Sequence, residues 1–222
     1  QRHNQANHSI VLREPDLDSM SPFNHADVRS LLALPSGLVW AGTQSGAVAI
    51  LNADLQLRQV VAQLPTPVEA MVQTRDGNMW VGGNGRLYQY NAQGRAMRTL
   101  AYTGGKTRRL FESDDGGLWI AAQDGVYRLA PAATRIERQT DARSGPKGEV
   151  HAFAQAPDGR IWIGTSQGIY RTQEDHKGLE HLTQQPGETL GSDIVIGLLF
   201  DRKGTLWVDT SVGGLHRLKS GH

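Results

Sequence analysis

The chain has 222 residues, a formal net charge of +1, no cysteine, 26 glycines and 5 tryptophans. A near-neutral balance with a pI of about 8.3 excludes the basic stripe that a nucleic-acid binder needs, and no apolar run approaches the roughly 20 residues of a membrane span. The lack of cysteine excludes disulfides and thiolate metal sites and leaves the compartment open.

Gln1 to Ser9 is polar, carries no signal-peptide pattern and does not start with Met, so a processed or trimmed start is expected. Ser9–Arg13 (SIVLR) reads as a short strand without a hairpin partner nearby, and a loop with Pro15 and Pro22 follows. Five units come next, near 28–64, 68–101, 107–139, 150–183 and 194–218. Each begins with a short apolar run, such as Val28–Leu34 or Val150–Ala156, and turns at a glycine. A second run holds Trp40, Trp80, Trp119, Trp162 or Trp207, and a second turn leads into further strands. The fifth unit stops after its third strand, at Leu218.

The tryptophans lie 40, 39, 43 and 45 residues apart, a period that marks a repeat architecture. Three residues before each stands Gly37, Gly77, Gly116, Gly159 or Gly204, and nine before stands Leu31, Met71, Leu110, Phe153 or Leu198. Asp76-Gly77, Asp115-Gly116 and Asp158-Gly159 supply the positive φ of a tight hairpin turn. Runs such as Ile161-Trp162-Ile163 are apolar on both sides, so the strands they form are buried on both faces. Four-stranded sheets stacked around an axis bury both faces in this way. The expected fold is therefore all-β, a single β-propeller domain over 1–222 built from blades of about 40 residues. The spare strand 9–13 is expected to pair beside Gly214–Leu218 and close the ring. The alternative is that the five units come from a larger propeller, with bare apolar faces at both ends.

The phrases PDGRIWIGTSQGIYR at 157–171, DDGGLWIAAQDGVYR at 114–128 and RDGNMWVGGNGRLYQ at 75–89 resemble the repeat of the two-component regulator propeller family. PSGLVWAGTQSGAVA at 35–49 and DRKGTLWVDTSVGGLHR at 201–217 follow with departures: Ala121 and Asp209 replace a glycine, and the first unit lacks the Tyr-Arg end. Family propellers usually have seven blades, so five repeats depart from the pattern as well. The resemblance implies a periplasmic sensing module of a bacterial inner-membrane signalling protein, of histidine kinase or diguanylate cyclase type. Its membrane contact would run only through a parent segment outside this sequence. The resemblance does not itself imply a ligand, although members of the family often detect polysaccharide fragments. The module is expected to be non-catalytic and without a cofactor, with a small anionic or carbohydrate ligand, or a second copy of the chain, as its candidate partner.

Ligands meet a propeller where its inner strands begin. Eleven residues before the tryptophans stand Arg29, Glu69, Arg108, His151 and Ile196, which vary while their neighbours do not. A binding rim varies in this way, and so do solvated strand starts. Ten before, the residues are small except Arg109, which with Lys106, Arg108, Lys147 and His151 forms a basic corner able to clamp an anion. Gly104-Gly105-Lys106-Thr107 lacks the first glycine of a P-loop and is followed by a strand, not a helix. The histidines show no H-x-x-x-H spacing, so no metal site is expected. Turn acids Asp76, Asp115 and Asp158 are explained by their turns rather than by carboxylate-pair catalysis. Two further readings stay open: a propeller lyase of the streptogramin lyase type, with Glu69 and His151 as its axial candidates, and a scaffold that binds other chains or a second copy.

Overall fold

The computed structural model describes residues 26–139, 145–146, 148–173, 178–182, 190 and 192–218. All regular structure among them is strand, arranged as antiparallel blades. Blade 1 is β1 (Val28–Ala33), β2 (Val39–Thr43), β3 (Ala47–Leu51) and β4 (Leu57–Gln63). Blade 2 holds β5 (Ala70–Gln73), β6 (Met79–Gly82), β7 (Asn84–Tyr90) and the start of β8 (Ala96–Glu112). The end of β8 opens blade 3, with β9 (Leu118–Ala122), β10 (Gly125–Leu129) and β11 (Glu137–Arg138). Blade 4 is β12 (Val150–Gln155), β13 (Ile161–Thr165), β14 (Gly168–Thr172) and β15 (Leu179–Leu182), and blade 5 is β16 (Val195–Phe200), β17 (Leu206–Thr210) and β18 (Gly214–Leu218).

One local reading, a turn at Gly104-Gly105 between the second and third units, is corrected. Gly104-Gly105 does not end a strand: β8 runs through both, with Gly105 at φ +71°, so blades 2 and 3 share one seven-stranded sheet. The positive φ of Gly105 bends β8 there, and the Tyr102 hydroxyl bonds Thr107 Oγ1 across the two glycines at 2.6 Å. Burial pushes the Tyr102 phenol up to about 12, with the Thr107 bond opposing, so it stays neutral. The Asp-Gly turns have the expected positive φ, at Gly77 (81°), Gly116 (79°) and Gly159 (88°). The Gly77 N–H donates to Thr74 O at 2.8 Å while Thr74 N donates to Asn78 O at 2.9 Å. That is a type I turn followed by a left-handed glycine, so the glycine recurs even where Ser36 or Lys203 stands before it.

The tryptophan of each blade faces the next blade. Trp40 packs with Val68, Met79 and Val81 of blade 2, and Trp80 with Leu118 and Ile120 of blade 3. Trp119 packs with Val150, Ile161 and Ile163 of blade 4, and Trp162 against Val195 and Val208 of blade 5. Two residues on, the backbone must let the next blade approach. A Cβ on Gly164 would lie 2.7 Å from Val195 Cγ1, which explains the glycine there. Ala121 at the same place in blade 3 sits in the cluster with Val150. No such cluster of described residues joins blade 5 to blade 1, and Leu31 and Leu199 each stand 63% exposed on the outward faces. The expected closing strand 9–13 lies outside the described residues.

Candidate functional site

The variable rim position has a structural cause. In four blades it is the extra residue of a β-bulge: the ladder skips Arg29 between Val28 and Ser30, Arg108 between Thr107 and Arg109, His151 between Val150 and Ala152, and Ile196 between Val195 and Gly197. Glu69 stands just before β5 in the second blade. A bulge leaves one residue unpaired and re-aims its side chain. Residues at these positions are thus freed from the sheet at one end of the molecule.

Charges join this rim from blade to blade. Lys106 of blade 3 is ion-paired with Glu69 of blade 2. Arg108 Nη1 of blade 3 lies 2.6 Å from Glu149 Oε1, just before blade 4. The two pairs repeat one geometry with the signs exchanged: the bulge position of one blade meets the residue thirteen before the tryptophan of the next. Between blades 1 and 2 that second position is Pro67, and Arg29 pairs instead with Asp27 of its own blade at 2.9 Å. There a neutral contact joins the blades, Ser30 Oγ donating to Val68 O at 2.8 Å. Between blades 4 and 5 it is Ile194, so His151 has no charged partner of this kind.

Arg109 stands apart. Its Nε donates to His151 O at 3.1 Å and its Nη1 to Arg108 O at 2.9 Å. Neither acceptor is a carboxylate, and among the described residues Arg109 makes no ion pair. With Lys106 matched by Glu69 and Arg108 by Glu149, Arg109 is the uncompensated cation of the corner among the described residues, exposed and held at its Nε and Nη1. The remaining N–H groups can take a carboxylate or phosphate in a planar fork. Of the expected corner, the structure brings together Arg108, Arg109 and His151 and places Lys106 on the same strand start; Lys147 lies outside the described residues. Glu149 escaped the sequence reading, although the alternation of charge between successive repeats was its signal.

Glu69 and His151 share no hydrogen bond among the described residues, and the Glu69 carboxylate is occupied by Lys106. No three His, Asp or Glu side chains among the described residues converge closely enough to hold a metal ion. At the opposite end, the turn acids serve the turns: Asp76 Oδ1 accepts Asn78 N–H at 3.0 Å, Asp115 Oδ1 accepts Gly117 N–H at 2.9 Å, and Asp158 Oδ1 accepts Arg160 N–H at 3.0 Å. Partial burial pushes all three carboxyls up, but these bonds outweigh it and hold them below the usual carboxylate range.

Residues 63–85 and 144–167 match the family model described as two component regulator propeller. Two stretches, in the second and fourth units, are thus similar to that repeat. No curated protein matches it in sequence. Among solved structures, the chain superposes on BT3049 from B. thetaiotaomicron, described as the extracellular domain of a hybrid two component system. The TM-score is 0.68 at 18% identity, over 94% of this chain and 30% of that one. It also superposes on streptogramin B lyase (TM-score 0.66, 15% identity, 87% of this chain and 69% of that one). Virginiamycin B lyase from Staphylococcus aureus gives a TM-score of 0.63 at 15% identity, over 87% and 70%. The chain spans less than two thirds of the length of BT3049, of the designed protein Ika8 (57%) and of the WD40 propeller of Doa1 (64%). At these identities the likeness establishes the propeller fold.

Proposed function

We propose that this chain is a non-catalytic, extracytoplasmic ligand-sensing module of a bacterial membrane signalling protein, and that it takes a small anion such as an acidic sugar at the rim of blades 3 and 4. The regulator propeller repeats at 63–85 and 144–167 support the signalling context, and the described nature of BT3049 supports the extracytoplasmic one. Arg109 carries the assignment of the site. It is a guanidinium without a carboxylate, beside a bulged histidine, at a position where the other blades hold Ser30, Ala70, Ala152 and Gly197. Histidine kinase or diguanylate cyclase output would lie in a parent segment outside this sequence, and self-association of the propeller would carry the signal to it.

Calorimetric titration with trigalacturonate tests the reading. Arg109→Ala is expected to weaken binding about 10- to 100-fold, the worth of hydrogen bonds to a charged group. Equal affinity in wild type and variant, or no binding to either, overturns it. Two lyases share the fold, so the second reading is a propeller lyase. A Mg²⁺-dependent turnover assay on streptogramin B separates the two, since a sensing module leaves that substrate intact.

A further inference from the structure

One blade departs from the repeat in its chemistry while keeping its geometry. Arg128, opposite Trp119 in blade 3, lies over the indole at 5.8 Å and ion-pairs with Asp115. Arg171 covers Trp162 at 5.6 Å in blade 4, and Arg98 covers Trp80 at 5.1 Å in blade 2. Opposite Trp40 in blade 1 stands Ile50. Ser36 occupies the place of the turn acid, and Leu34 that of Ser113, whose hydroxyl accepts the Trp119 indole N–H at 3.2 Å. Trp40 is fully buried, and its Nε1 has no acceptor among the described residues.

Two apolar replacements, Leu34 and Ile50, with Ser36 in place of the turn acid, leave a hollow where blades 2, 3 and 4 carry an arginine over the indole. Its volume is about 610 Å³, and Leu34, Leu38 and Ile50 line it. Gln59 of blade 1 with Gln73 and Gln93 of blade 2 supply amide groups to its wall, and Arg58 supplies a cation. Arg58 is exposed and makes no ion pair among the described residues. The hollow lies at the ends of β1, β3, β5 and β7, the opposite end from the Arg109 rim. No aromatic side chain lines it, so it has no platform for a sugar ring, and a single cation does not suit a polyphosphate.

We propose that this hollow docks an extended peptide segment with an aliphatic side chain beside a carboxylate. The aliphatic group covers Leu34, Leu38 and Ile50, the carboxylate reaches Arg58, and the glutamine amides bond the peptide backbone on either side. The volume accepts one or two aliphatic side chains, and the lone guanidinium sets the sign of the partner.

The test is an NMR titration of the full chain with acetyl-Leu-Asp-Leu-amide and acetyl-Leu-Lys-Leu-amide. The acidic peptide is expected to shift the amides of Leu34, Ile50 and Gln93 and to bind about tenfold more tightly than the basic one, with Arg58→Glu reversing that order. Ile50→Arg restores the lid found in blades 3 and 4 and is expected to abolish both sets of shifts in a folded protein. Equal binding of the two peptides, an order unchanged by Arg58→Glu, or no shift at these three amides overturns the proposal. So does an equal response to glucuronate, which would make the hollow a small-acid site. Because trigalacturonate binding is read at Arg109, failure here leaves that reading intact, and the reverse holds.

Discussion

Blade 3 and blade 1 place a tryptophan at the same point of the same hairpin and surround it differently. Trp119 has its indole N–H on Ser113, its face under Arg128, and Arg128 tied to Asp115, which Ser113 also contacts at 2.6 Å. Trp40 has Leu34, Ser36 and Ile50 in those places, and its N–H goes without an acceptor among the described residues. Both indoles are buried and both press on the next blade. The stacking of blades thus depends on the buried face of the indole. The polar cover on its edge can vary, and where it is absent a hollow opens.

Making blade 3 resemble blade 1 gives the largest expected effect. Ser113→Ala removes the acceptor of a buried N–H and one partner of Asp115, and is expected to cost about 1–3 kcal/mol in urea unfolding; a change within error would separate the indole bond from stability. The converse change sharpens the comparison in blade 4. Trp162 Nε1 also lacks an acceptor among the described residues, and Ala156 occupies the place of Ser113. Ala156→Ser is expected to raise stability by about 0.5–1.5 kcal/mol, visible as a higher urea midpoint at constant slope; a loss would show that the hydroxyl does not reach the indole. The smallest effect is that of pH. Asp115 is held below the ordinary carboxylate value of 3.8, with burial opposing and Ser113, Gly117 N–H and Arg128 prevailing. A carboxyl lowered in the folded state stabilises above its unfolded value and loses that contribution as pH falls through its folded one. Asp115→Asn is therefore expected to be less stable than wild type at neutral pH and to match it in strong acid. A difference independent of pH would assign the loss to shape rather than charge.

The blades were legible because a buried tryptophan and a left-handed glycine tolerate few replacements, so their spacing survives in the sequence. The continuous β8 was not: Gly104-Gly105 reads as a turn, and the pairing of β8 with β7 on one side and β9 on the other, which carries it through the bend at Gly105, is made only in three dimensions. At the rim, the variable residues were visible but their partners were not. Lys106 and Arg108 looked like free cations until Glu69 and Glu149 were placed against them from neighbouring blades, about 40 residues away in sequence. Arg109 was marked out by its size and by the basic corner around it, and the structure adds that among the described residues it is the cation of that corner without a carboxylate. The missing Tyr-Arg end of the first unit was also visible. Its consequence, a hollow lined by Leu34, Ser36 and Ile50, depends on the first turn and the third strand acting together.

The most direct test of the central claim, that the anion site lies on the bulged rim of blades 3 and 4, is hydrogen exchange measured with and without trigalacturonate. Protection confined to the amides of residues 107–110 and 149–153, absent in Arg109→Ala, is the predicted result. Protection centred on residues 34–38 and 58–59, or no change at the rim while the ligand binds, would contradict it.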